Sequence, residues 1–297
     1  MRIYLSSMTA GSFRHFLDIF PDSKLNILLA YNGTNSHLKF LDEFSNNIDE
    51  LMLDSGAYNA YFQMLKKIEA KQNKYNYATY LLKQRHRYGI YVNFDEVFSE
   101  SGFKINYENQ LFLEAFGFSP MPVIHNYDLR SEEVQFYLNS DKYHLLSLGY
   151  SANKNIPNIK ALSNAFYKAG KRIHLLGKSE FAALAYAPIA LCDSSSWAWP
   201  GQCEYTYFWN PFLSLSDKTT SINYPGRVKG TRNNDWDVHP YKDEFMNFVR
   251  NTFGYSYKDL VESKYKYHFR NVVCMYFYLQ VQAEVTRIHK LLGYRTE

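Results

Sequence analysis

Residues 172–196 read RIHLLGKSEFAALAYAPIALCDSSS. Two near-continuous apolar runs, Arg172–Leu176 and Ile189–Asp193, flank Glu180–Ala187, where apolar residues recur at three- and four-residue spacing. A strand wetted on one face alternates apolar with polar residues. These runs do not alternate, so both faces of each are expected to be covered, as in a parallel sheet lined by helices. Each run ends in residues of another kind: Gly177-Lys178 after the first, Asp193-Ser194-Ser195-Ser196 after the second. The stretch predicts a β-α-β unit with polar groups at the C-terminal ends of its strands.

The same texture repeats outward from it. Arg2–Leu5, Leu25–Ala30, Leu51–Asp54, Ile90–Asp95, Met121–His125 and His144–Gly149 bring the predicted strands to eight. Between them, Ser12–Phe20, Asn76–Tyr88, Tyr107–Phe116, Ser131–Asn139 and Ile159–Ala169 carry helical periodicity. Ser131 followed by Glu132 and Glu133 has the composition of a helix N-terminus. Gly89, Gly117 and Gly170 stand where helices should stop. Eight strands alternating with helices predict an α/β fold, a (β/α)8 TIM barrel, with a doubly wound sheet as the runner-up. A barrel puts function at the C-terminal strand ends. Six ends carry acidic, polar or glycine residues: Asp54-Ser55-Gly56, Asp95-Glu96, His125-Asn126, Gly149-Tyr150, Gly177-Lys178 and Asp193 with its serines. Any one of these reads equally well as caps and turns; six together mark an active-site rim.

After Asp193 the periodicity fades. Residues 198–240, with Trp199, Pro200, Gly201, Pro211, Pro225, Gly226, Gly230 and Trp236, are expected to form a loop insertion. Residues 241–297 are expected to be C-terminal helices, and the whole of 1–297 a single barrel domain. At 297 residues with 46% hydrophobic and 21% charged, the chain suits a globular protein with a sizeable core. The net charge of +4 permits a nucleic-acid partner without announcing one, so a phosphate-binding surface would be a local patch. Aromatic residues reach 18%, which fits stacking surfaces and compositional bias equally well. Three scattered cysteines, Cys192, Cys203 and Cys274, without a CxxC pair argue for a reducing compartment and against a zinc knuckle. The opening MRIYLSSMTAGSFRHF lacks the apolar core of a signal peptide, and the longest apolar run, Phe181–Cys192, is too short for a bilayer and holds Pro188. A cytoplasmic location with no membrane partner is expected.

Three carboxylates, Asp54, Asp95 and Asp193, each follow an apolar run and so sit at the mouth of a low-dielectric interior, where proton affinities shift. Two such groups can share glycosyl transfer, one attacking the anomeric carbon and the other moving a proton. Asp193 is the better nucleophile, because its serines could orient the carboxylate. Tyr58 could stack on a flat ring or pack in the core. His125 could read a base edge or serve the fold. Arg227, Lys229 and Arg232 place three cations in six residues and suit a phosphate backbone. Lys264, Lys266, His268 and Arg270, interleaved with Tyr265, Tyr267 and Phe269, form a second basic group that reads as readily as a solvated face. HExxH, P-loop, GxSxG and dinucleotide glycine fingerprints are absent from the sequence.

Five segments, in order, resemble the tRNA-guanine transglycosylases. Leu53-Asp54-Ser55-Gly56-Ala57-Tyr58-Asn59 resembles their DSGG(F/Y)Q segment and Asn93-Phe94-Asp95-Glu96 their FDE segment. Ser147-Leu148-Gly149-Tyr150 resembles IGG, Leu175-Leu176-Gly177 resembles LMG, and Leu191-Cys192-Asp193 resembles FDC. Asp54-Ser55-Gly56-Ala57 and Asp193-Ser194-Ser195-Ser196-Trp197 are closer still to the phage and bacterial relatives that insert 7-deazaguanine bases into DNA. The resemblance covers roughly residues 25–200. It implies a barrel that exchanges guanine for a 7-deazaguanine through a covalent glycosyl-enzyme, with no cofactor and no metal. It implies Asp193 as the nucleophile at C1′, Asp54 as general acid/base and Asp95 as reader of the base's N–H edge. Tyr58 would stack on the base, Leu176-Gly177 would form the other wall, and Ser55, Gly149 and Tyr150 would supply polar or backbone contacts. His125 falls near a family glutamine. The family's CxCxxC zinc motif and the basic motif after its nucleophile are missing. DNA is therefore the expected partner, with tRNA the alternative, a 7-deazaguanine base the co-substrate and a homodimer one assembly open to the chain. For a phage-encoded protein the compartment would be the host cytoplasm. An unrelated barrel nucleosidase or glycosidase using the same two aspartates, and a non-catalytic nucleic-acid binder, are the other readings.

Overall fold

A computed structural model describes residues 1–213, 219–225 and 234–295. Ten strands run in chain order: β1 (Arg2–Ser6), β2 (Leu25–Ala30), β3 (Ile48–Asp54), β4 (Ile90–Tyr91), β5 (Val123–Ile124), β6 (Leu145–Leu148), β7 (Arg172–Leu175), β8 (Leu191–Ser194), β9 (Tyr205–Trp209) and β10 (Thr219–Asn223). The helices are α1 (Ala10–Leu17), α2 (Leu38–Phe44), α3 (Ala57–Leu65), α4 (Lys74–Gln84), α5 (Phe103–Ala115), α6 (Glu132–Asn139), α7 (Ile156–Lys168), α8 (Phe181–Ala185), α9 (Trp199–Gln202), α10 (Lys242–Phe253), α11 (Tyr257–Val261) and α12 (Lys266–Leu291). The chain divides into two compact units, one of Met1–Ser6, Lys24–Ser194 and Thr286–Glu297, the other of Ser7–Ser23 and Ser195–Val285.

The first unit is the (β/α)8 barrel. Its eight strands are all parallel, in the order β4-β3-β2-β1-β8-β7-β6-β5. The two outer strands of that order meet through a parallel bridge between Val92 and Met121, with Asn93 N–H donating to the Met121 carbonyl, so the sheet closes on itself. Tyr4, Leu28, Met52, Val92, Met121, Val123 and Leu191, drawn from strands around the cylinder, pack into one buried cluster. The continuous apolar runs follow from this geometry, since each strand has the cluster on one side and helices on the other. β4 and β5 are only two residues long, shorter than their apolar runs suggest. Pro120 and Pro122 bracket Met121, and prolines have no N–H to give a ladder.

Helix ends follow local chemistry. Ser131 accepts from Val134 N–H at the start of α6, and Asn73 and Asn155 do the same for α4 and α7. Gly117 and Gly170 take positive φ just beyond α5 and α7, as expected. α2 and α3 were not anticipated from periodicity. Among the described residues, no helix is long and apolar enough to cross a membrane.

The second unit corrects the expectation of a loop over 198–240. After α9, β9 and β10 pair antiparallel, with Phe208 opposite Thr220. Tyr205-Thr206-Tyr207-Phe208-Trp209 alternates in burial, a period-2 pattern hidden among the surrounding prolines and glycines. The basic group near residue 268 is partly internal. Arg270 is fully buried, donating to the Leu260 and Gly201 carbonyls, pairing with Glu204 at 2.7 Å and stacking over Tyr224. Lys266 pairs with the same Glu204, and His268 Nδ1 lies 3.2 Å from Ser12 Oγ.

Candidate active site

All the carboxylates predicted for the site lie in the barrel unit. Asp54 is the last residue of β3, and the chain turns at once into α3 through Gly56 at φ +71°. A Cβ on Gly56 would lie 2.0 Å from the Tyr31 carbonyl oxygen, so only glycine fits this turn. The turn aims Gly56 N–H at Asp54 Oδ1, 3.2 Å away. Burial pushes the Asp54 carboxyl up to about 6, the charges of Asp193 and Asp95 push the same way, and the Gly56 N–H opposes them. Ser55 is buried, and Tyr58 stands half-exposed in the first turn of α3.

Asp95, beyond β4, is almost fully buried. Asn93 Nδ2 donates to its Oδ1 at 2.8 Å, and His125 Nε2 lies 3.0 Å from its Oδ2. The other imidazole nitrogen, Nδ1, is 2.8 Å from the Tyr150 carbonyl, which can only accept. Nδ1 therefore carries a proton, and a second proton is shared between Nε2 and Asp95. Burial alone would lower the His125 pKa, but the hydrogen bond and charge of Asp95 outweigh it and raise it. Burial holds Asp95 above the usual carboxylate range. Glu96, next in sequence, turns outward and pairs with Lys74 at 3.4 Å.

Asp193 lies in β8, buried, with Oδ1 accepting Gly177 N–H at 2.7 Å. The fully buried His174 brings Nε2 to 3.4 Å from the same oxygen, while its Nδ1 meets Ser147 Oγ at 3.0 Å. Of the serines after Asp193, Ser194 accepts from Ser179 Oγ at 2.8 Å. Gly177, at φ +65°, has open space where a Cβ would point, and Leu176 beside it is half-buried.

Gly149 is a point of close packing between neighbouring strand ends. A Cβ there would lie 2.4 Å from Val123 Cγ1 and 2.9 Å from His125 Cε1. Its N–H donates to the Ile124 carbonyl and its own carbonyl accepts from Tyr127. Tyr150 is exposed, its ring 5.6 Å from that of Tyr58. Arg227, Lys229 and Arg232 lie outside the described residues.

Besides His174, three contributors escaped sequence reasoning. Lys154 Nζ donates to the Leu148 and Leu176 carbonyls at 3.1 and 2.5 Å, tying the ends of β6 and β7 together. Burial pulls its pKa down to about 8, against the charge of Asp193. Glu133 looked like a helix N-terminal acid. It is buried and accepts from the His125 and Asn126 N–H groups, and burial pushes it up to about 7. Phe98 bridges Tyr58 and His125, with ring centroids 5.3 Å from each. No sequence signal marks Lys154 or Phe98. For Glu133, a second acid beside a sufficient serine cap was the hint.

Among the described residues, no three His, Cys, Asp or Glu side chains gather as metal ligands do. A cavity of about 440 Å³ opens at the opposite, N-terminal end of the barrel, lined in part by Tyr91, Glu114, Lys142 and Tyr143. Glu114 there is taken up by Lys142 and Tyr143. The C-terminal rim instead holds Asp54, whose carboxyl feels the charges of both Asp193 and Asp95. Comparison with family models, with curated proteins and with solved structures finds no match.

Proposed function

We propose that this protein is a base-exchange glycosyltransferase. It would replace guanine in DNA with a 7-deazaguanine through a covalent aspartyl-glycosyl intermediate. The observation that carries the reading is the contrast between two rim aspartates. Asp193 has one oxygen held at 2.7 Å by the Gly177 N–H of the adjoining strand end, whereas Asp54, with a longer 3.2 Å contact to the Gly56 N–H, has its proton affinity raised by burial and by Asp193 itself. One group is oriented to attack, the other is prepared to carry a proton.

With Oδ1 held by Gly177, Oδ2 of Asp193 forms the bond to C1′ as the C1′–N9 bond breaks. The electron pair passes to guanine, which takes a proton from Asp54. The incoming 7-deazaguanine then loses its N9 proton to Asp54. N9 attacks C1′, and Asp193 leaves as carboxylate, so protons and charge balance over the cycle. Tyr58, Tyr150 and Phe98 offer flat surfaces for the base. The Asp95–His125 pair offers a polar edge, and a base in a duplex must leave the stack to reach it.

The test is mass spectrometry of the denatured protein after incubation with guanine-containing DNA, beside an exchange assay with labelled guanine. A protein–DNA adduct on Asp193 and label incorporation are expected, both lost in Asp193→Ala. Unchanged exchange in Asp193→Ala would overturn the assignment. Adduct formation with tRNA and not DNA would move the reaction to the tRNA substrate. Base release without incorporation would make the protein a nucleosidase.

A further inference from the structure

α3 begins at the candidate site and runs away from it, and its outer surface has the wrong composition for a solvated helix. Tyr58, Phe62 and Leu65 fall at spacings of four and three residues, which puts them on one side of the helix. Tyr58 and Phe62 are in edge contact, with centroids 4.7 Å apart. Past them, Met64, Leu65 and Ile68 are 65, 61 and 54% exposed. Scattered apolar residues need no explanation, but a contiguous exposed cluster does. Here it adjoins the aromatic rings of the site. The chain leaving the helix is basic: Lys66, Lys67 and Lys71 are exposed against one exposed acid, Glu69. None of the three lysines forms an ion pair among the described residues. Lys67 occupies the left-handed position that closes the helix, at φ +58°, with its N–H on the Met64 carbonyl and Ile68 N–H on the Gln63 carbonyl. Glycine would take that position without strain. A lysine there sets a cation at the tip of the helix.

We propose that α3 and the segment after it are the DNA-docking element of the barrel, with Met64, Leu65 and Ile68 entering the base stack and Lys66, Lys67 and Lys71 holding the flanking phosphates. The proposal rests on the base-exchange reading and names where the duplex sits. From Tyr58 to Leu65 the helix spans about 10 Å, at 1.5 Å per residue. One rigid helix thus links a ring that receives an extruded base to an apolar tip that fills the gap it leaves. Apolar wedges of this kind offset the cost of unstacking in other DNA-bending proteins. The charge complementarity selects a polyanion as occupant, and the apolar tip between the cations selects one whose bases can be parted.

The test uses the full-length chain and a labelled DNA duplex carrying 2-aminopurine beside a guanine. Binding is read by fluorescence anisotropy at several salt concentrations, base extrusion by 2-aminopurine fluorescence, and covalent transfer by adduct mass in the same samples. The substituted residues are all exposed, and equal melting temperatures serve as the fold control. Lys66→Gln/Lys67→Gln/Lys71→Gln should weaken binding about tenfold or more at 0.1 M salt and reduce the log–log salt slope by about 2.7, the value for three lost phosphate contacts. Met64→Gln/Leu65→Gln should largely abolish the 2-aminopurine signal at DNA concentrations that saturate the protein. Unchanged affinity and slope in the lysine variant, or wild-type protein that does not bind DNA, overturns the proposal. So does tighter binding of tRNA through the same lysines. Lysine-dependent DNA binding without any adduct leaves the docking surface standing and removes the transfer reaction. An adduct with full-strength binding in the lysine variant does the reverse.

Discussion

Replacing Asp54 by asparagine should make the protein more stable at alkaline pH and inactive in base exchange. The carboxyl is pushed from its ordinary 3.8 up to about 6, first by burial and then by the charges of Asp193 and Asp95. The folded state therefore binds this proton more tightly than the unfolded state does. Stability from the group is fully present below pH 4 and is lost as pH rises through 6, where the folded protein must carry a buried charge. A difference of roughly two pH units corresponds to about 3 kcal/mol at 1.36 kcal/mol per unit, an upper value because Asp54 keeps some solvent contact. Asparagine retains an oxygen to accept the Gly56 N–H and carries no charge. Asp54→Asn should thus gain up to about 3 kcal/mol at pH 8 and only about 0.5 kcal/mol at pH 4. For a chain of this size that is roughly 4–8 °C in Tm. Paired urea melts of wild type and variant from pH 4 to pH 8 remove the contribution of Glu133, which is common to both, and report Asp54 together with its coupling to Asp193 and Asp95. A gain that is flat with pH, or a variant less stable at pH 8, would refute the claim that Asp54 is held charged against its surroundings. Loss of activity together with the gain is the signature of a group kept for chemistry at the expense of stability.

Gly149→Ala should cost about 1–3 kcal/mol in urea denaturation, because its Cβ would meet Val123 and His125 in a packed strand end that has little room to yield. Lys154→Met should change how stability depends on alkaline pH. The wild-type amine, pulled down to about 8 from 10.5, binds its proton less tightly when folded, so wild type gains up to about 3 kcal/mol as pH rises from 8 to 10.5, and the variant lacks that rise. His125→Leu should cost about 3–5 kcal/mol at pH 8 by leaving Asp95 buried without its partner, and less at pH 4, where Asp95 takes up a proton; thermal melts at the two pH values check it.

Fold class was legible because a closed parallel barrel leaves a coarse trace. β2, with five of its six residues buried, could only be a strand covered on both sides, and seven companions at barrel spacing left few topologies. Ser131, Gly117 and Gly170 marked helix ends because capping is local chemistry. The hairpin of β9 and β10 was hidden by its surroundings. Its alternation spans five residues, and the flanking Pro211, Pro225 and glycines argue for a loop when read alone. α3 escaped because its inward face is small, Ala57 and Ala60, while Phe62, Met64 and Leu65 point outward, which blurs the usual apolar stripe.

The site was legible only as a set of strand ends. Asp54, Asp95 and Asp193 could be placed on one rim from the order of strands alone, but what holds each of them could not. Gly177 N–H reaches Asp193 because β7 and β8 lie side by side, and a glycine 16 positions away carries no mark of that use. Lys154 is a surface residue by composition and becomes a half-buried clamp only when the ends of β6 and β7 lie side by side and present the Leu148 and Leu176 carbonyls together. Gly149 looked like a point of close approach for a ligand, and it is one for His125. Each hidden contact joins neighbouring strands, so each is created by closure of the sheet and not by any local motif. A close relative that kept the three aspartates but lost Gly177 or Gly149 would therefore keep every carboxylate and still lack the turn that aims an N–H at Asp193 or the close packing that orders His125. For this fold, the residues that order the carboxylates at the strand ends are found by asking which side chains the closing sheet leaves no room for and which backbone donors it leaves over.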